Sequence, residues 1–393
     1  MIRSAVLRHV RMKMKRPFGH ARATRSEADS VFLSVDLAGV MGHGEAVPRE
    51  YVTGETVGSA IEALSSADLA GIGRRLSSGS FEEAVASVEA LALPRALARG
   101  PASSNAAACA LELALLDAAG KRSGRRLSEL AAALGLPQPL RHPAPVAFHP
   151  VARVIDTTQD PAALLRDGPG PRHVKIKVGL GREVDVARVR AAREALGPGP
   201  TLSVDANMAW SLPEALEMAR ALGPSGVDWI EEPLPPRQWA ALRRLRRDTG
   251  ARVMLDESLC SPEDARAAIG EEACDLFNLR ISKCGGLIAS MRLAELAHRS
   301  GLGFQLGAQV GELGPLWAAG RQFVSAIRGA VAYEAGQADL LFDASVVTPR
   351  HRVDRARWVA PELDGPGLGI EVADEIAGFE VARREWAPGA CVA

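Results

Sequence analysis

The stretch HVKIKVG, residues 173–179, places Lys175 and Lys177 two positions apart in an otherwise apolar run. Alternation of period two is the signature of a β-strand, so both ammonium groups point to one side of it. Two like charges side by side in an apolar setting are costly unless negative groups face them. The sequence supplies such groups at a regular interval. Asp205 lies in TLSVDAN, Glu231 in VDWIEEP and Asp256 in RVMLDES, 26 and 25 positions apart. Three carboxylates delivered one per structural unit surround a single point if the units are arranged about an axis. All-oxygen ligation of that kind suits Mg2+ or Mn2+, with the remaining octahedral positions left to water and substrate. Taken one at a time, each acid reads most simply as a helix N-cap or a surface ion pair, and each lysine as a side chain snorkelling outward. Taken together, consecutive strands that all end in charge at the same end favour a site.

The elements that must position these groups follow from the alternation of patterns. From Ala144 onward, strand-like runs at 145–151, 173–179, 201–207, 227–233, 252–258, 276–283, 303–309 and 330–336 alternate with helical runs such as EVDVARVRAAREAL and LIASMRLAELAHRSG. Eight such units predict a parallel (β/α) barrel of TIM type over residues 144–355. A doubly wound sheet is the alternative, but no G-x-G-x-x-G turn follows the first run. The C-terminal ends of barrel strands share one mouth, and Asn207, Arg280 and Glu334 fall at those ends beside the lysines and the three acids. Residues 1–143 read differently. A β-rich opening (SAVLRHVRM, SVFLSVDLAG) is followed by helices from about Ile61 to Leu136, the clearest being SSNAAACALELALLDAAGKRSG, which predicts an α+β unit.

Composition narrows the partners. The chain has 393 residues, with 47 Lys+Arg against 47 Asp+Glu, so nothing favours a nucleic-acid or membrane-surface partner. No apolar run approaches bilayer length, and MIRSAVLRHVRMKMKRP lacks the apolar core of a signal peptide. Cys109, Cys260, Cys274, Cys284 and Cys391 are scattered and odd in number. They form neither a disulfide framework nor a zinc pattern, and a reducing cytoplasm is the simplest setting.

KIKVG, SVDAN, WIEEP, LDES and KCGG in this order resemble the enolase superfamily, in its mandelate racemase and muconate-lactonizing branch. The resemblance covers nearly the whole chain. RPFGHARATR (16–25) and GHGEAVPREYVTGET (42–56) resemble the two loops that the family's capping domain lays over the barrel mouth. DGPGLGIEV (364–372) resembles its C-terminal return strand, which assigns residues 356–393 to a segment returning to the capping domain. The resemblance implies a Mg2+-dependent enzyme that removes the proton α to a substrate carboxylate through an enediolate, a pattern already described for this superfamily. It implies Asp205, Glu231 and Asp256 as metal ligands, Lys177 as the acid/base and Lys175 as its electrostatic support. A like charge, a metal and burial would depress the Lys177 pKa toward neutrality. It also implies a small-molecule carboxylate as partner, and the chain is expected to be homo-oligomeric.

Strands six and seven decide the branch. Mandelate-type members carry an Asp and a His there; this chain has Arg280 and Gly307, and GFQLGAQVGE holds no histidine. The muconate-type lysine of strand six, counted back from Gly285–Gly286, falls on Arg280 and not on Lys283. On a strand Lys283 would point to the opposite face from Arg280 and miss the mouth. A guanidinium has a pKa above about 12 and is a poor general base, but a good fixed cation. The expectation is therefore a one-base lyase, cycloisomerase or dehydratase, with Arg280 either holding charge or pairing with an acid such as Glu334. The alternatives are a two-base racemase or epimerase and a catalytically silent relative; the intact KIK, Asp, Glu and Asp set argues against silence. The covering loops offer Phe18, His20, Arg22, Arg49 and Tyr51 as substrate contacts beside Asn207 and Glu334. That cationic set would suit a second carboxylate or another anionic group.

Overall fold

The structure, a computed structural model, describes residues 1–98, 103–144, 146–166, 170–350 and 352–387. Eight parallel strands follow one another in chain order: Arg153–Ile155, His173–Lys177, Thr201–Asp205, Trp229–Glu231, Val253–Leu255, Leu276–Leu279, Gly303–Leu306 and Ala330–Tyr333. The sheet curls on itself, and the Ala152 amide donates to the Tyr333 carbonyl at 2.7 Å, joining its first edge to its last. The strands are short, and several, such as His173–Lys177 and Leu276–Leu279, are buried at every position, as parallel strands covered on both faces must be. Helices return the chain between them. Ser211, for example, starts the helix Leu212–Leu222 with a reciprocal capping box to Glu214. This is the expected TIM-type barrel with a capping unit.

The first strand lies later than its sequence reading. Within 145–151, Phe148–Pro150 pairs antiparallel with Val359–Pro361, and barrel strand one is Arg153–Ile155. A proline cannot donate to a central ladder, so a run holding Pro150 is confined to an edge pairing. Pro145 lies outside the described residues.

The capping sheet has four antiparallel strands in the order Glu380–Trp386, Ile2–His20, Ala23–Leu37, Val40–Ala46. The C-terminal strand thus returns to pair with the N-terminal one, Ala5 opposite Trp386. The hairpin of the two long strands, in which Phe18 faces Arg25, reaches the barrel mouth. The helix Asn105–Ser123 has no continuous polar face and is buried along most of its length, so it packs on this sheet rather than facing water. Gly42 and Gly44 let the third strand lie directly on that helix, because a Cβ at either would strike the backbone of Ala114 or Ala110.

Buried carboxylates fasten the two units together. Glu45, at the end of the third capping strand, accepts from the Leu313, Gly314 and Leu316 amides at 2.7, 3.0 and 3.0 Å, at the start of the helix Pro315–Ala326. Glu112 accepts from Ile288 at 3.0 Å, at the start of the helix Leu287–Arg299. Each satisfies backbone amides that a helix N-terminus leaves without partners, while burial raises the pKa of both carboxyls. Among the described residues no helix is long and apolar enough to cross a membrane. Four cysteines are buried and free, and Cys391 lies outside the described residues.

Candidate active site

Strand register brings the two lysines and the first two acids together. Lys177 pairs with Asp205 across strands two and three, and Asp205 with Glu231 across strands three and four. The third acid, Asp256, follows strand five directly. Asp205, Glu231 and Asp256 are each fully buried, and each offers a carboxylate oxygen within 4.8 Å of the others.

Cations answer these acids from all around. Lys177 Nζ donates to Asp205 Oδ2 at 2.5 Å and to Asn207 Oδ1 at 3.0 Å. Lys175 Nζ donates to Glu231 at 3.0 Å and to Glu334 at 2.7 Å, and stands 3.7 Å from Asp205. Burial opposes the charge on Lys175, but Glu231, Glu334 and Asp205 outweigh it and hold its pKa above the ordinary value. Burial likewise opposes the charge on Asp205, and Lys177 and Lys175 outweigh it, leaving that carboxyl well below the usual range. The lysine pair is thus faced by carboxylates, the arrangement its cost requires.

Two expectations about strand six change. Arg280 does not pair with Glu334. Its guanidinium lies against Asp256, reaches within 4.0 Å of Glu231 and donates to Gln309 Oε1 at 2.9 Å. Glu334 is taken by Lys175. Lys283 does not point away from the acids. Strand six stops at Leu279, and Ile281–Cys284 is a helical turn, so the period-two reading ends before Lys283. Its ammonium is fully buried and donates to the Asp256 carbonyl at 2.6 Å, Asp256 Oδ1 at 3.0 Å and the Asn278 carbonyl at 2.9 Å. It supports the acid cluster from beneath and does not line the cavity above.

That cavity is walled by Lys175, Lys177, Asn207, Arg280 and Glu334 from the barrel and by Phe18, His20, Arg49 and Tyr51 from the capping loops. Nine candidates from the sequence therefore meet at one place. Arg22 is exposed and is not among the wall residues. Its neighbour Arg25 is, with Gln309, Glu312 and Trp317, none of which the sequence reading singled out. His20 stacks obliquely on Tyr51 with centroids 5.8 Å apart. Burial and the nearby Lys177 push its pKa down to about 4. Burial raises Glu312 to about 8.

A further shell holds the acids in place. Asn278 donates to Glu231 Oε1 at 2.7 Å and Gln305 to Glu231 Oε2 at 3.2 Å. These two residues sit opposite each other on strands six and seven. The alternation through Asn278 and Arg280, and through Gln305, Gly307 and Gln309, carried that information in the sequence. Gly307 has no room for a side chain, because a Cβ there collides with the Asn278 amide. Glu232 and Glu257, adjacent to the acids in sequence, turn away from them. Glu232 has φ +34° and accepts from the Asp256 amide at 2.6 Å and from Ser258. Burial raises Glu232 to about 7 and Glu257 to about 8.

The donor set fits a hard divalent cation. It is all carboxylate and buried, and its three ligand oxygens lie within 4.8 Å of one another. Three buried anions held that close need positive charge among them.

The chain matches the enolase C-terminal domain-like family over residues 158–376 and the mandelate racemase / muconate lactonizing enzyme N-terminal domain over residues 2–132. It is 31% identical over 269 residues to muconate cycloisomerase 1-1 of Acinetobacter lwoffii, covering 68% of each chain. It is 30% identical over 300 residues to an L-Lys-D/L-Arg epimerase of Methylococcus capsulatus, covering 75% of this chain and 78% of that one. A dipeptide epimerase of Cytophaga hutchinsonii, solved with Mg and the dipeptide D-Ala-L-Val, superposes with a TM-score of 0.80 at 26% identity over 98% of this chain and 99% of that one. With its barrel, its capping sheet and its buried acid triad, the chain belongs to the mandelate racemase/muconate lactonizing enzyme family of the enolase superfamily.

Proposed function

We propose that this protein is a Mg2+-dependent enzyme that removes the proton α to a carboxylate with Lys177 as its base, and completes the reaction on the same face by elimination or cycloisomerisation. The observation that carries this reading is Arg280. It directly follows strand six, four strands around an eight-stranded barrel from the strand of Lys177, so the two side chains reach the mouth from opposite walls. A lysine there would give a base on each face; a guanidinium gives a base on one face and a fixed positive charge on the other.

Asp205, Glu231 and Asp256 would hold the cation, and Mn2+ would serve in the same all-oxygen set. When bound, it supplies Lewis-acid stabilisation of the enediolate oxygens. Lys177 takes the proton at Nζ, which Asp205 and Asn207 hold in place. Lys175 contributes a second positive charge beside it, held by Glu231 and Glu334. Arg280, oriented by Gln309, clamps negative charge developing on the far side. Residues 1–143 serve as the capping domain, 144–355 as the catalytic barrel and 356–393 as the return segment.

A second reading, epimerisation, is favoured by the 30% identity to the Methylococcus epimerase. The experiment that separates them screens carboxylic acids in deuterated water with the Mg2+-loaded protein and follows α-proton exchange by NMR and chiral chromatography. Exchange without inversion, lost in Lys177→Ala, supports the one-base reading. Equal exchange from both enantiomers of one substrate establishes two working bases and removes it.

A further inference from the structure

We infer that the groove where the last capping helices, the segment leading into the barrel and the return segment meet is a second binding site, and that Arg141 receives a small oxyanion there, a carboxylate or phosphate group. The inference does not rest on the proposed function, since the groove shares no residue with the cavity at the barrel mouth. Its volume of about 760 Å³ falls within the range of small-molecule sites, about 300–1,000 Å³. The helix Pro315–Ala326 runs from one to the other, with Trp317 on the cavity and Ser325 and Ala326 on the groove.

The charged walls of the groove are Arg125, Arg126, Glu129, Arg141, Glu362 and Asp364. All but one of these answer one another. Arg125 donates to Glu129 at 2.5 Å, and Arg126 stands 3.2 Å from Asp364 and 3.5 Å from Glu362. Arg141 has no such partner. Among the described residues its guanidinium makes no hydrogen bond and no ion pair, and its Nε is buried. A buried N–H of a charged group without an acceptor is a cost that a bound oxygen removes.

The backbone that carries this side chain is fixed, so the site is built in advance. The Arg141 amide donates to the Gln138 carbonyl at 3.1 Å, the His142 amide to the Ala326 carbonyl at 3.3 Å and the Arg328 amide to the Leu140 carbonyl at 2.9 Å. Arg328 adds a second cation that pairs with no acid among the described residues; its Nε donates to the Pro139 carbonyl at 2.6 Å. Burial, and the charge of Arg328, hold His142 below its ordinary pKa, so that ring brings no charge of its own near pH 7. The surplus is positive, and a ligand bringing an ammonium group meets no free acid among the described walls. The parallel N–H groups along one edge of a guanidinium match two oxygens of a single carboxylate or phosphate.

The test uses the Mg2+-loaded full chain, with inorganic phosphate and acetate as probes, read by calorimetry and by amide hydrogen exchange at low ionic strength. Anions that enter the cavity at the barrel mouth are separated by Arg280→Gln, which alters that cavity and not the groove. Binding that survives Arg280→Gln, falls about tenfold in Arg141→Gln and slows exchange in 138–142 and 326–328 supports the inference. The tighter of the two probes then names the group. Arg141→Lys keeps the charge and loses the fork, so it should also weaken binding, and it decides if Arg141→Gln does not fold. Arg74→Gln removes an exposed charge outside the groove and should change nothing. If neither probe binds outside the barrel mouth, the inference is overturned and the proposed function stands. Binding that Arg141→Gln and Arg141→Lys leave unchanged, or that Arg74→Gln weakens as much, overturns it as well.

Discussion

Replacing Lys283 by methionine removes the cation beneath the acid triad while keeping a side chain of similar reach, so the cavity contribution is small. The wild-type ammonium and Asp256 are both fully buried. Three hydrogen bonds are lost, to the Asp256 carbonyl, Asp256 Oδ1 and the Asn278 carbonyl. Two leave neutral acceptors short of a donor, each worth about 1 kcal/mol or more, and the third leaves a buried carboxylate with one cation fewer. Breaking a buried pair by removing one partner costs about 3–5 kcal/mol, and the lower half of that range applies here because Arg280 still faces Asp256. Urea unfolding at neutral pH measures the loss. Saturating Mg2+ should recover part of it, since a cation on the triad gives Asp256 a new partner. In an Asp256→Asn background the same substitution should cost about 2 kcal/mol less, because the charge it strands is gone. A loss below about 1 kcal/mol, or strict additivity with Asp256→Asn, would refute the reasoning.

Glu112 tests the pH dependence. Burial raises its pKa from 4.5 to about 8, against the Ile288 and Leu287 amides, which lower it. The folded state thus keeps a proton that the unfolded state releases. The stability it contributes is complete below pH 4.5 and is lost as pH rises through about 8. The stability gap between wild type and Glu112→Gln should therefore shrink steadily between those limits in urea titrations; a gap that widens with pH contradicts the assignment. Gly307→Ala forces the Asn278 amide off Glu231, and calorimetry should show Mg2+ affinity reduced about 10–100-fold, the usual cost of disturbing groups that orient metal ligands. Unchanged affinity would mean that Asn278 does not orient Glu231. Glu45→Gln turns an amide donor toward the amides that its two oxygens now accept, and should cost about 2–3 kcal/mol in thermal or urea unfolding. A neutral effect would show that the capping strand does not anchor the helix after strand seven.

Much of the site was legible because its signals are local in sequence and periodic in space. Strand alternation sets both lysines on one face, and one βα unit per acid brings Asp205, Glu231 and Asp256 to a common mouth. Neither inference needs knowledge of a distant contact. What the sequence left open depends on where regular structure stops. A strand carried past Leu279 points Lys283 away from the mouth; the chain turns helical there instead, and the ammonium meets Asp256. Pro150 lay in a run that resembles a barrel strand, yet its missing amide confines that run to an edge pairing with Val359–Pro361. The partner of Arg280 was equally out of reach. Asp256 and Glu334 are both acids at strand ends, and only the packed barrel sets the guanidinium against the first while Lys175 holds the second. The capping loops show the same division. Composition alone marked 16–25 as cationic, but which arginine turns inward depends on a β-bulge and hairpin register that pair Phe18 with Arg25 and leave Arg22 at the exposed turn. Residue types and spacing determined the chemistry this chain can perform; tertiary packing decided which charges meet, because counter-ion choice is settled by distances between elements far apart in the chain.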